Sequence, residues 1–187
     1  MERRTTDGIR AGVRLTPMDA WDAVRSRRNV RDFTPDPIPQ ADLDMVLDAA
    51  RRTPSSRNWQ PWDFVVVTES GALERLAGVW QGAWHVAGAA AAIAIVAPEP
   101  AEENRNWLYY DLGQATMSIM LAATSLGLGT GHAAVADQGL ARELLGFPED
   151  RFCAAVISVG YPADRPLWPI AEPKRRPFDE VVHRERW

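Results

Sequence analysis

The sequence predicts one soluble globular domain in which helices alternate with three buried strands, and three observations carry that expectation. The 187-residue chain is 46% hydrophobic and 25% charged, the balance of an ordinary folded domain rather than a disordered or fibrous one. A chain of this size folds to a surface of about 9,000 Å² from roughly 30,000 Å² unfolded, so around 70% is buried and a sizeable core can form. Three apolar runs of strand length, Trp62 to Thr68, Ala91 to Val96 and Phe152 to Val159, are separated by segments of helical periodicity.

The elements follow in order. Residues 1–16 read as an N-terminal extension, and 17–187 as the domain. Thr16-Pro17-Met18-Asp19 has the form of a helix start, with a capping hydroxyl, proline at the first helical position and a carboxylate in the first turn, which predicts a helix over 17–27. Pro35, Pro37 and Pro39 then forbid helix and impose an extended arm. Leu43, Val46, Leu47 and Ala50 recur at helical spacing up to Pro54. Thr53 to Pro61 is loop chemistry leading into the first strand. Leu73, Leu76, Ala77 and Trp80 mark a helix, and Pro98 stops the second strand. A long helix runs from near Asn106 to Gly127, followed by the turn-like GLGTGHAA. A short helix is capped by Asp137 and closed by Gly146, and Gly160-Tyr161-Pro162 ends the third strand.

Several function classes fall away at this point. A net charge of −4 argues against a chain-wide attraction to nucleic acid or anionic membrane. The uncharged stretch from Leu112 to Ala136 is interrupted by Gln114, Thr116, Ser118, Thr124 and Ser125; it reads as a helix buried in protein, not in lipid. The single cysteine, Cys153, lies in an apolar run and reads as an inert buried thiol. The Arg3-Arg4 pair leads into no apolar stretch, so no export signal is expected and the cytoplasm is the expected location. His85, His132 and His183 are too far apart in sequence to suggest a metal site. No phosphate-binding loop of the G-x-x-x-x-G-K type, no G-x-S-x-G and no G-x-G-x-x-G pattern is present.

What remains is a cluster of cations. Arg25, Arg27, Arg28 and Arg31 span a helix end and the strip after it. Alternate residues of an extended strip share a face, which sets Asn29 beside Arg31, with Arg27 joining from the last helical turn. That fork suits a phosphate or a delocalised anion; a solvated helix end, satisfied by the helix dipole, is the equal alternative. A second knot, Lys174-Arg175-Arg176, lies in the tail from Ala163 to Trp187, whose Leu167, Trp168, Ile170, Phe178, Val181, Val182 and Trp187 have no amphipathic partner within the tail. Such an arm packs either on its own domain or on the second subunit of a symmetric dimer. Eight tryptophans are enough both to pack the core and, through Trp59, Trp62, Trp80, Trp84 and Trp107, to wall a pocket for a flat ring.

Four blocks of this chain resemble the FMN-dependent nitroreductase family. They are Ser26-Arg27-Arg28-Asn29-Val30-Arg31-Asp32-Phe33 followed by Pro37; Pro54-Ser55-Ser56-Arg57-Asn58-Trp59-Gln60-Pro61-Trp62; Ala122 to Thr130; and Val159-Gly160-Tyr161-Pro162. With the basic tail, their order and spacing cover nearly everything after residue 17.

The resemblance implies an α+β, three-layer fold with a mixed central sheet flanked by helices. It implies a homodimer with exchanged C-terminal arms (163–187) and FMN sites at the subunit interface. Arg27, Arg28 and Asn29 would hold the FMN phosphate with Lys174 and Arg176, and Arg31 would reach the pyrimidine end of the ring. Pro54, Ser55, Ser56 and Asn58 would come from the other subunit, and the backbone at Gly131, His132 and Ala133 would face the reactive nitrogen. The implied activity is hydride transfer from NADPH or NADH through the flavin to a small electron-poor acceptor, a nitroaromatic or quinone, in ping-pong fashion. No protein acid or base, no metal and no nucleic acid is called for, because the flavin carries the chemistry. A flavin-storing dimer without turnover is the alternative. The family often has Ser where Asn29 stands, His132 is not a family residue, and Pro98 to Asn106 is a short connection where relatives frequently carry a helical excursion over the substrate.

Overall fold

The computed structural model describes residues 18–187, so the expected extension 1–16 and the Thr16-Pro17 helix start lie outside the described residues. The first described helix, α1 (Ala20–Ser26), is capped by Asp19, whose carboxylate accepts from the N–H of Asp22 at 2.7 Å. The remaining helices are α2 (Gln40–Arg51), α3 (Ser70–Leu76), α4 (Arg105–Ser125), α5 (Gln138–Leu145) and α6 (Phe178–Val181), and the strands are β1 (Asp63–Val67), β2 (Ala91–Pro98), β3 (Gly129–Ala133) and β4 (Arg151–Gly160). The helix expected over Leu73 to Trp80 ends instead at Leu76. Two short 3₁₀ segments, Ala77–Val79 and Gln81–Val86, follow, and Trp80 between them is extended.

The strands form one sheet of order β1-β2-β4-β3. All three ladders are antiparallel, which corrects the expectation of a mixed sheet: among the described residues the parallel element shrinks to one bridge, Asn29 to Thr130. Period-two alternation then builds three layers. Ala91, Ile93, Ile95 and Ala97 of β2 pack beneath α2 and α4 with Leu43, Val46, Leu108, Leu112 and Ile119. Ala92, Ala94 and Val96 face the opposite layer, with Leu73, Leu76, Val79, Val86 and Ala141. The fold is α+β, as the resemblance implied.

Helix α4 tolerates its polar residues because it satisfies them internally. Thr116 Oγ donates to the Leu112 carbonyl, Thr124 to Met120 and Ser125 to Ala122. Among the described residues no helix is long and apolar enough to cross a membrane. Gly146 closes α5 as the sequence indicated: its φ of 71° is left-handed, and its N–H returns to the Arg142 carbonyl at 2.8 Å. Cys153 is buried in β4, and burial pushes its thiol pKa up to about 12.

Candidate functional site

The turn-like GLGTGHAA is the main local correction, since its centre is strand β3. Gly129 and Gly131 are required there because another segment crosses it. A Cβ on Gly129 would meet the Val30 side chain at 2.6 Å, and one on Gly131 would meet the Val30 carbonyl oxygen at 2.5 Å. The strip after α1 therefore lies directly on β3, tied by the Val30 N–H to the Thr130 carbonyl at 2.8 Å. It runs on to the end of β4, where the Thr34 N–H meets the Tyr161 carbonyl at 2.9 Å. Glycine keeps this approach close, and closeness fixes the strip.

Beside this junction opens a cavity of about 730 Å³ lined by Asn29, Arg31, Trp80, Gly82, Trp84, His132, Ala133, Ala134, Ala154 and Ala155. Six of the residues singled out from sequence, Asn29, Arg31, Trp80, Trp84, His132 and Ala133, thus meet in one place. The floor includes Ala154 and Ala155 because β4 is bulged against β2: Ile95 faces Ala155 while Val96 faces Cys153, leaving Ala154 as the extra residue. Gln138 holds the bulge from the side, accepting from the Cys153 N–H at 2.9 Å and donating to the Cys153 carbonyl at 2.8 Å. A shallow alanine floor, indole walls and one guanidinium suit a flat, partly anionic ring.

The cations beyond Arg31 divide into two kinds. Arg28 is engaged, donating to Asp164 Oδ1 at 2.6 Å and to the Arg165 carbonyl at 2.8 Å, and this contact holds the Asp164 carboxyl below its ordinary pKa. Among the described residues Arg27 has no carboxylate partner; its Nη2 reaches Asn29 Oδ1 at 3.2 Å and Met120 Sδ at 2.9 Å. Burial, and behind it the positive charge of Arg175 on the tail, pulls the Arg27 guanidinium below its ordinary pKa. Of the tail cations, Arg175 therefore acts on Arg27. Arg176 is paired with Glu180 at 3.4 Å, and Lys174 is exposed.

The second sequence block lies elsewhere. Ser56 lines a different cavity, of about 520 Å³, with Arg57, Trp59, Asn104 and Trp107. Pro54, Ser55 and Asn58 flank it on the same loop, whose Arg57, Asn58 and Gln60 have φ of 53°, 58° and 53°. Three side-chain-bearing residues in the left-handed region store strain, about 1–3 kcal/mol each, so neighbouring structure must enforce the shape. Ser55 Oγ accepts from the Gln60 N–H at 2.8 Å, and the Ser56 N–H donates to Asp111 Oδ2 at 2.9 Å. Of the five tryptophans that the sequence offered as pocket walls, Trp80 and Trp84 line the first cavity and Trp59 and Trp107 the second, whereas Trp62 is buried and stacks on Phe64.

Two supporting residues were not singled out in the sequence. Asp111 is 1% exposed on α4; its signal was position, a carboxylate three residues after Leu108 and four before Ala115 on the core-facing side. His85 is buried behind β3, its Nδ1 2.8 Å from Ser158 Oγ, which donates to the Gly131 carbonyl at 3.1 Å. Burial, then the charges of Arg31 and His132, lower its pKa. With Ser158 donating onward, Nδ1 carries the proton and the ring is neutral.

Comparison with known proteins adds three findings. The sequence profile of the Nitroreductase family matches residues 24–94 and 77–161. A protein of Archaeoglobus fulgidus provisionally named NADH dehydrogenase/NAD(P)H nitroreductase is 32% identical over 169 residues, covering 88% of this chain and 96% of its own length. The FMN reductase of Bacillus subtilis is 24% identical over 185 residues, covering 88% and 73%. Among solved structures, an FMN-dependent nitroreductase from Clostridium difficile superposes with a TM-score of 0.78 at 25% identity, covering 89% of this chain and 99% of that one.

Proposed function

The chain belongs to the nitroreductase family and is an FMN-dependent NAD(P)H oxidoreductase; we propose that it alternates NADH or NADPH with a small electron-poor acceptor, a nitroaromatic or quinone, over one ring face. When bound, FMN supplies the hydride-accepting and hydride-donating chemistry. The residues present fit such a group. The positive charge of Arg175 bears on Arg27, which has no carboxylate partner among the described residues, and among those residues the buried Nε atoms of Arg27 and Arg28 have no hydrogen-bond partner. An anion resolves both, and the uncompensated Arg27, tied to Asn29 at the alanine-floored cavity, is the observation that carries the reading.

In this reading Arg27, Arg28 and Asn29 hold the phosphate, with the tail cations Lys174, Arg175 and Arg176 closing over it. Arg31, which lines the cavity, would stabilise negative charge at the pyrimidine end of the bound group and so favour its acceptance of hydride. The backbone of Gly131, His132 and Ala133 orients the ring, while Trp80 and Trp84 exclude water beside it. No side chain has to transfer a proton in the hydride step.

Ser56 lines a different cavity of the same chain, with Pro54, Ser55 and Asn58 beside it on the loop, so in this reading they reach the ring from a second subunit. Two further features support a homodimer: Trp107, Tyr109, Tyr110 and Met117 are exposed along α4, and Trp168, Phe178, Val181 and Trp187 are exposed along the tail. Apolar surface of that extent is what an interface covers. The exchanged arm belongs to this proposal.

The deciding experiment is anaerobic mixing of FMN-loaded protein with NADH and with NADPH, followed in the visible spectrum. Bleaching by a donor and recovery of colour on adding a quinone or nitroaromatic is the expected result. Colour that persists with both donors leaves a flavin-storing dimer.

A further inference from the structure

A buried polar pair, His85 and Ser158, stands behind β3, the strand that supplies His132 and Ala133 to the alanine-floored cavity. Ser158 is the cross-strand partner of Ala92, which packs into the apolar layer with Val79, Val86 and Ala133. Placing two hydrogen-bonding side chains in such a layer is costly, and the cost is only partly offset. Among the described residues His85 Nε2 is buried with no hydrogen-bond partner. Two apolar side chains of similar size would fill the same space without that penalty, so packing alone does not account for the pair.

Both side chains bear on one residue. A Cβ on Gly131 would lie 3.1 Å from His85 Cε1 and 3.1 Å from Ser158 Oγ. Ser158 Oγ donates to the Gly131 carbonyl at 3.1 Å, and His85 Nδ1 holds that hydroxyl from 2.8 Å. Trp84, a wall of the cavity, meets the His85 ring edge-on, with centroids 5.9 Å apart. The alternation of an antiparallel ladder sets where the far end of the Gly131–His132 peptide points. Thr130 turns its carbonyl away from β4, to the Val30 N–H, so Gly131 turns its carbonyl toward its ladder partner Ser158 and His132 turns its N–H back to the open side. There β3 is the edge of the sheet, and among the described residues the His132 N–H has no backbone acceptor on the strip. The Gly131 carbonyl and the His132 N–H are the two ends of one peptide group, and a hydrogen bond accepted at one end strengthens the donor at the other.

We propose that His85 is a positioning residue: acting through Ser158, it fixes and polarises the Gly131–His132 peptide, so that the His132 N–H is held ready as a hydrogen-bond donor to the flat ring bound in the cavity. The proposal rests on the flavin reading for the identity of that ring. His85 works from behind the strand, and the donor it prepares belongs to the backbone. Orienting the peptide before the ring arrives removes an ordering cost from binding.

The test titrates FMN, and riboflavin as the same ring without the phosphate, into flavin-free full-length protein, read by flavin fluorescence, with thermal melts of the same samples. Ser158→Ala takes the side-chain donor from the Gly131 carbonyl and strands the His85 N–H. It should melt lower and bind both flavins at least about threefold more weakly, the loss expected from part of one hydrogen bond. Combining His85→Leu with Ser158→Ala removes the stranded group as well, so the melting temperature should return toward that of wild type while both affinities stay low. His85→Gln, which keeps a donor for Ser158, should keep most of the wild-type affinity. Affinity that recovers together with the melting temperature in the double variant overturns the proposal and leaves a pair that only packs. A loss for FMN that riboflavin does not share overturns it too, by placing the effect at the phosphate. Wild type that takes up neither flavin refutes the flavin reading and this proposal with it, whereas wild type that binds both, with Ser158→Ala affinities unchanged, refutes the positioning role alone.

Discussion

The Ser56 N–H and Asp111 Oδ2, 55 residues apart in the chain, meet at 2.9 Å, and this contact joins the strained loop to the buried helix α4. Asp111 Oδ1 also faces Ser56 Oγ at 3.5 Å and Gln114 Nε2 at 3.3 Å. Asp111→Ala strands the buried amide, and thermal melts should show a loss of about 2 kcal/mol, or a Tm lower by roughly 4–8 °C. Asp111→Asn keeps an acceptor oxygen for Ser56 and should recover most of that loss. Equal destabilisation by both variants would mean that the negative charge, not the acceptor, holds the loop.

Arg27→Ala removes one charge-assisted contact to the phosphate. FMN affinity, measured by recovery of flavin fluorescence on dilution, should fall about thirtyfold, equivalent to about 2 kcal/mol. An unchanged dissociation constant would assign the phosphate to other cations.

His85 makes stability depend on pH in a defined direction. Its folded pKa lies below the ordinary 6.5, so below that pH the unfolded chain takes up a proton that the native ring refuses. Stability is complete above about pH 6.5 and declines as pH falls from there toward the folded pKa. Melts across that window should show a falling Tm for wild type and a flatter profile for His85→Gln, whose amide can still donate to Ser158. Identical slopes would locate the titration elsewhere.

Gly131→Ala drives a methyl group to within 2.5 Å of the Val30 carbonyl. Backbone cannot yield as a flexible side chain does, so the variant should lose about 1–3 kcal/mol in urea denaturation and loosen the strip that carries Asn29 and Arg31. Wild-type stability with unaltered amide exchange at Val30 would contradict that crossing.

Much of this architecture is legible in the sequence because it is written in short-range patterns. The runs at Ile93 and Val156 are apolar on both sides and form the two central strands, whereas the similar run at Phe64 lies at the sheet edge, and the Asp137 and Gly146 caps act within one turn. Strand β3 was hidden because Gly129, Thr130 and Gly131 look like a turn; their small size answers to Val30, 99 residues earlier, which no local window contains. The antiparallel sheet order and the pairings of His85 with Ser158 and of Ser56 with Asp111 are equally long-range. Arg27, Asn29 and Arg31 were visible as one face of an extended strip. That Arg175 rather than its neighbours bears on Arg27 depends on how the tail folds back.

The tail is anchored to the body at few points. The Ala163 N–H meets the Asp32 carbonyl at 3.0 Å, Leu167 is buried, and the Ile170 N–H meets the Arg25 carbonyl at 3.0 Å. Beyond Ile170 every residue is exposed and none enters either half of the core. A protein shortened after Ile170 should therefore keep its sheet and its melting cooperativity. Whatever it then fails to do measures those last residues as a strap between molecules and not as masonry within one.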